Sequence, residues 1–312
     1  MKNFRISTQT APWYNEKEPF ESLQFIKECG FDAIDLSLKN FFLEEYNVEN
    51  LTSFYDNGID AVIDHYRPLK EAAEKLDVEI FQAHSHFPVY VKNNPKETEY
   101  LLKVAQMMIE VCDFLNCRNI VIHPFYNVLW EEFSYEEERE INLSIYRRLM
   151  PFAKKHNVTI CLENLIRSFG GNYYDASCSD ADEAIEYIDL LNREAGEEIF
   201  GLCLDIGHLQ AAHREPYKYI TKLGNRIKCL HLHENDTTND AHQIPFTRCD
   251  ASGYKPVAQW DKILRGLKEV GYSGSINFEA FLGIKWFPEE VRPFALKTLS
   301  AVGNYFAKKI NE

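Results

Sequence analysis

Six short apolar, β-branched runs in this chain each end in a histidine or a carboxylate. They are "IFQAHSH" with His84, "NIVIHP" with His123, "VTICLEN" with Glu163, "FGLCLDIGH" with Asp205, "IKCLHLHEND" with His233 and "GSINFEA" with Glu279. Successive members are 39, 40, 42, 28 and 46 residues apart. Steps of that size hold one strand and one returning helix, so the polar ends gather on one side of a parallel sheet. Two earlier strand-like runs, at 4–8 and 33–38, bring the number to eight. Longer amphipathic stretches separate the runs, among them "ETEYLLKVAQMMIEVCDFL" and "DADEAIEYIDLLNRE". Eight alternating β and α units predict an α/β chain closed as a (β/α)8 TIM barrel. The competing open doubly wound sheet lacks support, because no GxGxxG follows the first strand. With 312 residues, 45% of them hydrophobic, and no Gly/Ser/Pro-rich linker, one domain spanning 1–312 is expected.

The longest irregular stretches follow strands, at 87–95, 124–134, 164–179 and 234–256. Loops at that end of a barrel are where sites are built. The glycine pair in "SFGGNYYD" reads as a plain turn or a hinge, and the acidic run Glu136–Glu138 as the start of a helix. Eight cysteines form no CxxC pair, and the N-terminus has no signal-peptide core, so reduced thiols and a cytoplasmic location are expected. Cys161, Cys203 and Cys229 precede Glu163, Asp205 and His231 by two residues. Alternate strand residues share a face, which sets these thiols one layer below the polar ends, as packing. A net charge of −14 disfavours nonspecific binding to nucleic acid or to an anionic membrane, and no apolar run is long enough to span a bilayer.

Glu163, Asp205, His233 and Glu279 end the last four strands. Three carboxylates and an imidazole suit a hard or borderline divalent ion: Mn²⁺, Mg²⁺, Co²⁺ or Zn²⁺. Each alone could cap a helix or pair with a lysine, but four in one barrel mouth would repel without a cation. His231 shares strand parity with His233 and is a support behind the metal ligands, a substrate contact or a packed core histidine. Such a metal site suits proton transfer next to a carbonyl. The ion stabilises an enediolate while one carboxylate removes the proton and another returns it. Aromatics past the strands, Trp13 among them, suit the apolar face of a sugar ring.

The segments "CLENL", "CLDIGH", "HLHEND" and "QWDKILRGLKEVGYSGSINFEAF" resemble the xylose isomerase-like TIM barrels, the sugar phosphate isomerase/epimerase family. The resemblance implies one metal held by Glu163, Asp205, His233 and Glu279, with Glu163 and Glu279 doubling as the acid/base pair and His208 touching substrate. Further expected substrate contacts are His84, His123, His231 and Arg167. Ketose 3-epimerases of this group carry a glutamate and an arginine where this chain has Phe169 and Asn239, a departure from that pattern. The chain also resembles the distantly related AP endonucleases of the endonuclease IV type, whose three-zinc set has counterparts here. On that resemblance His208, Asp240, His242, His84 and His123 would hold a second or third metal. No basic and aromatic stripe for DNA is evident. The sequence therefore predicts a divalent-metal-dependent sugar isomerase or epimerase. The alternatives are a metal-assisted lyase or dehydratase on a sugar or inositol derivative, a multi-zinc AP endonuclease, and a barrel that binds sugar without turnover. The expected partner is a small sugar or polyol, without nucleic acid or membrane, and homo-oligomerisation stays open.

Overall fold

The computed structural model describes residues 2–38, 46–129, 132, 134–249, 252–253 and 255–312. The barrel strands are β1 (Ile6–Gln9), β2 (Ala33–Ser37), β3 (Glu79–His84), β4 (Asn119–Val121), β5 (Thr159–Glu163), β8 (Phe200–Asp205), β9 (Ile227–His231) and β10 (Ile276–Phe278). They hydrogen-bond in the order β10-β1-β2-β3-β4-β5-β8-β9, and each neighbouring pair in that order is parallel. A parallel bridge from Leu232 to Phe278 joins the two ends of that order. The result is the (β/α)8 TIM barrel.

The helices follow the amphipathic stretches and are α1 (Pro19–Glu28), α2 (Ile59–Leu76), α3 (Pro95–Phe114), α4 (Tyr135–His156) and α5 (Ala181–Ala195). The last three barrel units are followed by α6 (Ile206–Ala211), α7 (Pro216–Leu223), α8 (Trp260–Glu269), α9 (Phe281–Lys285) and α10 (Arg292–Asn311). Their starts have local causes. Asn94 accepts from Glu97 N ahead of Pro95, and Ser134 accepts from Glu137 N where Glu136–Glu138 occupy the first turn. The unit after β8 uses two short helices because Pro216 begins a new one rather than continuing the first. Helix faces such as Leu23 and Ile26, Leu101 and Met108, or Leu149 and Ala153 bury against the outward strand residues in one large cluster. Each fully buried leucine or isoleucine contributes about 1.5–3 kcal/mol.

Inside the barrel the packing differs. Val121, Cys161, Cys203 and Cys229 form a separate buried cluster with Phe81 against it, which is the thiol layer expected from strand parity. All the described cysteines are free, and Cys249 is the exposed one.

The segment 164–179 holds more than a turn. An antiparallel hairpin, β6 (Ile166–Phe169) and β7 (Asn172–Asp175), projects above the barrel end. Gly170 and Gly171 connect its strands at φ of 59° and 79°. Two consecutive left-handed residues make the two-residue turn that matches strand twist, and glycine adopts it without a Cβ penalty. Among the described residues, no helix is long and apolar enough to cross a membrane.

Candidate metal centre

The polar ends of the strands come together. One ligand atom from each of Glu163, Asp205, His231 and Glu279 lies within 4.8 Å of every other, and all four residues are buried. His231 Nδ1 stands 3.1 Å from Glu279 Oε2, 3.3 Å from Glu163 Oε2 and 4.0 Å from Asp205 Oδ2. The barrel register explains its place: Asp205 pairs with His231 directly, as Cys203 pairs with Cys229 below.

The expected imidazole ligand, His233, lies two residues further out. Its Nε2 is 3.1 Å from both oxygens of Asp205, and its ring stacks on His242 at 4.1 Å. It forms a second group with Asp240 and His242. Gly207 makes room for it: a Cβ there would fall 1.9 Å from His233 Cε1. The structure thus puts two imidazoles on Asp205, with His231 inside the carboxylate ring and His233 on its outer side.

His231 is held by Asp35 on β2, an inward residue with no motif of its own. Its Nε2 donates to Asp35 Oδ2 at 3.0 Å, and the same oxygen accepts from Gln82 Nε2 at 3.0 Å and Asn277 Nδ2 at 3.1 Å. A carboxylate only accepts, so Nε2 carries the proton, and Nδ1 is the nitrogen left to face the ring. Gln9 Nε2 donates to Glu279 Oε1 at 3.0 Å. Asn164 joins β5 to β8, donating to Asp205 O at 2.8 Å and accepting from Asp205 N at 2.9 Å. Asp205 also caps α6 by accepting from His208 N at 2.7 Å, so the capping role and the site role fall on one side chain.

The outer histidines are assembled as well. His84 Nε2 and His123 Nε2 are 3.0 Å apart, and His123 Nε2 is 3.1 Å from Glu163 Oε2. On the other side His208 Nδ1 donates to Asn164 O and His242 Nδ1 donates to Glu279 O. Both therefore turn Nε2 toward Asp240 Oδ2, at 3.5 and 3.1 Å. Two other expected contacts stay outside these groups. Arg167 is buried and donates to Glu138 at 3.0 and 2.8 Å and to the carbonyls of Asp175 and Asn127, so its guanidinium ties the hairpin to α4. Trp13 is half-buried and packs on the main apolar cluster.

Charge in the cluster is balanced by imidazoles. Burial opposes a charge on His231, but Cys203, Glu279, Glu163 and Asp35 outweigh it and raise its pKa well above the ordinary value. Burial likewise opposes charge on His208 and His242, and the neighbouring carboxylates raise both, His242 to about 9. Burial alone would raise Glu163, yet His123 and His231 hold its pKa well below the usual carboxylate range. Burial pushes His123 down.

The donor set fits a divalent ion. Three carboxylates and a nitrogen converge, and buried His231 Nδ1 has no hydrogen-bond partner. Each inner or outer histidine described above with a donated Nδ1 or Nε2 presents its other nitrogen to a carboxylate or imidazole, the arrangement of metal-bound histidines. Glu163, Asp205, His231 and Glu279 would hold the inner ion, with His233 joining through Asp205. The chemistry of the donors suits Zn²⁺, Mn²⁺, Co²⁺ or Mg²⁺.

The family model for xylose isomerase-like TIM barrels matches residues 23–298, and the chain belongs to that family. Among solved structures, it is similar to a D-tagatose 3-epimerase-like protein, at 20% identity and a TM-score of 0.66, covering 98% of each chain. The 3-keto-D-glucoside 4-epimerase YcjR from E. coli matches with 15% identity and a TM-score of 0.70, over 97% of this chain and 100% of that one. The IOLI protein, solved with a bound zinc atom, matches with 16% identity and a TM-score of 0.64, over 98% and 97%. At these identities the likeness is one of fold.

Proposed function

We propose that the protein is a divalent-metal-dependent sugar isomerase or epimerase that moves a proton next to a carbonyl through an enediolate. The observation that carries this is the convergence of Glu163 from β5 and Glu279 from β10 on one nitrogen, at 3.3 and 3.1 Å. Two carboxylates at one point supply a base to take the proton and an acid to return it. His123 and His231 keep Glu163 ionised, as the base requires. Gln9 fixes Oε1 of Glu279 and leaves Oε2 toward the centre. A bound ion would stabilise negative charge on the substrate oxygens as a Lewis acid. The epimerase names of two structural neighbours and the zinc named for the third support this reading. A lyase on a sugar or inositol derivative would start from the same proton removal.

The test is solvent-deuterium incorporation into a panel of ketoses and inositol derivatives, with metal content measured on the same samples. Glu163→Gln and Glu279→Gln should each lower exchange about 10²–10⁴-fold. Metal content separates a lost base from a lost ion. Absence of exchange across the panel, or full exchange in both variants, refutes the proposal.

One observation favours a second reading, a multi-metal hydrolase: the outer histidines turn their Nε2 atoms onto Asp240 and Glu163. Three ions per chain together with cleavage of abasic DNA would select it.

A further inference from the structure

A second cavity opens beside the carboxylate cluster and has the opposite chemistry. It encloses about 330 Å³ between the loop after β3 and the loop after β4. Phe87, Val89, Phe125, Tyr126, Val128 and Leu129 form its walls, and His123 lines the same cavity. His123 Nε2 is 3.1 Å from Glu163 Oε2, so one imidazole separates the apolar space from the proposed base. The Phe87 ring lies 5.1 Å from the His123 ring and stacks on Tyr126 at 6.2 Å with planes 10° apart. Among the described residues, the two charged side chains at the cavity are already engaged: Lys92 Nζ pairs with Glu132 at 3.1 Å and with Glu137 at 3.2 Å.

Those walls are unsuited to a free sugar. A ketose or polyol carries a hydroxyl on nearly every carbon, and removing hydroxyls from water without partners is costly. The cavity instead suits a flat apolar group. It is larger than the roughly 150 Å³ apolar cavity that takes up benzene. The exposure of its rim points the same way. Val128 is 72% exposed, Leu129 58% and Phe87 41%, an apolar edge left open next to a polar centre.

We infer that this cavity is a subsite for an aromatic substituent on the substrate, so that the enzyme prefers an aryl-bearing keto sugar, such as an aryl glycoside that carries a ketone on its ring, over an unsubstituted ketose. The sugar end of that inference rests on the function proposed above; the aromatic subsite does not. The substituent would lie past His123, with the sugar ring over Glu163 and Glu279.

The experiment uses the intact, metal-loaded protein and two kinds of probe. Fluorine NMR relaxation of 4-fluorophenol reads the cavity alone. Matched phenyl and methyl glycosides of several sugars, compared by calorimetry, read it with a sugar attached. We expect 4-fluorophenol to bind and the phenyl member of at least one pair to bind about 10-fold or more tighter than its methyl partner. Val128→Asp and Leu129→Asp lie at exposed positions; each should abolish 4-fluorophenol binding and the phenyl preference while leaving metal content and deuterium exchange unchanged. No binding of 4-fluorophenol at millimolar concentration overturns the inference. So does a phenyl preference that survives both variants, or a dimer in solution that Leu129→Asp dissociates, which would give the apolar rim to a second copy of the chain. Absence of deuterium exchange in the wild-type protein refutes the function and leaves the aryl result standing.

Discussion

Replacing Asp35 by asparagine isolates what its charge does for the metal centre. Asp35 is fully buried, and its Oδ2 accepts from His231, Gln82 and Asn277 at 3.0, 3.0 and 3.1 Å, while Oδ1 has no partner. An asparagine would turn its carbonyl oxygen to the three donors and its amide to the vacant side. Shape and hydrogen bonds survive, and only the charge is lost. Hydrogen bonds to a charged acceptor are roughly twice as strong as neutral ones, and loss of a carboxylate behind a metal-bound histidine typically weakens the metal about 10–100-fold. That corresponds to roughly 1.4–2.8 kcal/mol. A proton competes with the metal for His231 Nδ1 and also feels the loss, since Asp35 helps raise the His231 pKa. The proton brings one charge and the ion two, so the loss falls harder on the ion. The assay is competitive Zn²⁺ titration of wild type and Asp35→Asn against a chelator at fixed pH, with circular dichroism to confirm folding. Asp35→Asn should bind 10–100-fold more weakly. A dissociation constant within about threefold of wild type, in a folded protein, would refute the placement of His231 as an inner ligand.

Three other outcomes follow from the geometry. Gly207→Ala sets a Cβ 1.9 Å from His233 Cε1, so the ring must leave Asp205; we expect about 1–3 kcal/mol of destabilisation in urea titrations and weaker metal binding, and an unchanged midpoint would contradict the close packing. Removing one outer ligand, as in His242→Asn, should lower bound metal by one equivalent in elemental analysis if the outer group holds an ion; an unchanged count assigns His242 and Asp240 to a hydrogen-bonded pair. Burial raises the Glu183 pKa from 4.5 to about 7. The folded state therefore holds that proton more tightly than the unfolded chain, giving stability that is complete below about pH 4.5 and lost as pH rises through about 7. Glu183→Gln should remove that loss, gaining stability on wild type by about 1–3 kcal/mol between pH 5 and 8. Parallel melting curves for the two proteins across that range would show that the surroundings of Glu183 on α5 do not hold its proton in the folded state.

The barrel was legible because its signals repeat: eight apolar runs, seven intervening amphipathic stretches, and polar residues where strands end. Much of the site was legible too. Glu163, Asp205 and Glu279 stand together, with His84, His123, His208, Asp240 and His242 around them. The order of the two histidines in "HLH" was harder to read. Both have inward parity, and proximity to the strand end favours His233, whereas the register sets His231 opposite Asp205. The thiol ladder held the clue, since His231 follows Cys229 as Glu163 follows Cys161 and Asp205 follows Cys203. Asp35, Gln9, Gln82 and Asn277 left a fainter mark: polar residues at inward positions of short apolar strands. Their meaning depends on strands β1, β2, β3 and β10 meeting, which local sequence does not encode. The role of Arg167 was hidden for the same reason, because Glu138 reaches it from the first turn of α4. The hairpin could have been read from "IRSFGGNYYD", where two glycines join two strand-like tetrads.

The bond from Asp35 to His231 spans 196 positions of chain and crosses from β2 to β9. Around it, Glu163 arrives on β5 and Glu279 just past β10, the strand that pairs with β1 and bridges to Leu232 after β9. The four carboxylate and imidazole groups come from the last four barrel strands, but Asp35, Gln9 and Gln82, which hold His231, Glu279 and each other in place, come from the first three. The proposed ion site therefore reaches its final geometry with circularisation of the sheet, among the most sequence-distant contacts in the molecule. High-affinity metal uptake should accordingly be a late event in folding, and a refolding chain could be timed by it: secondary structure first, capture of the ion once the ring has shut.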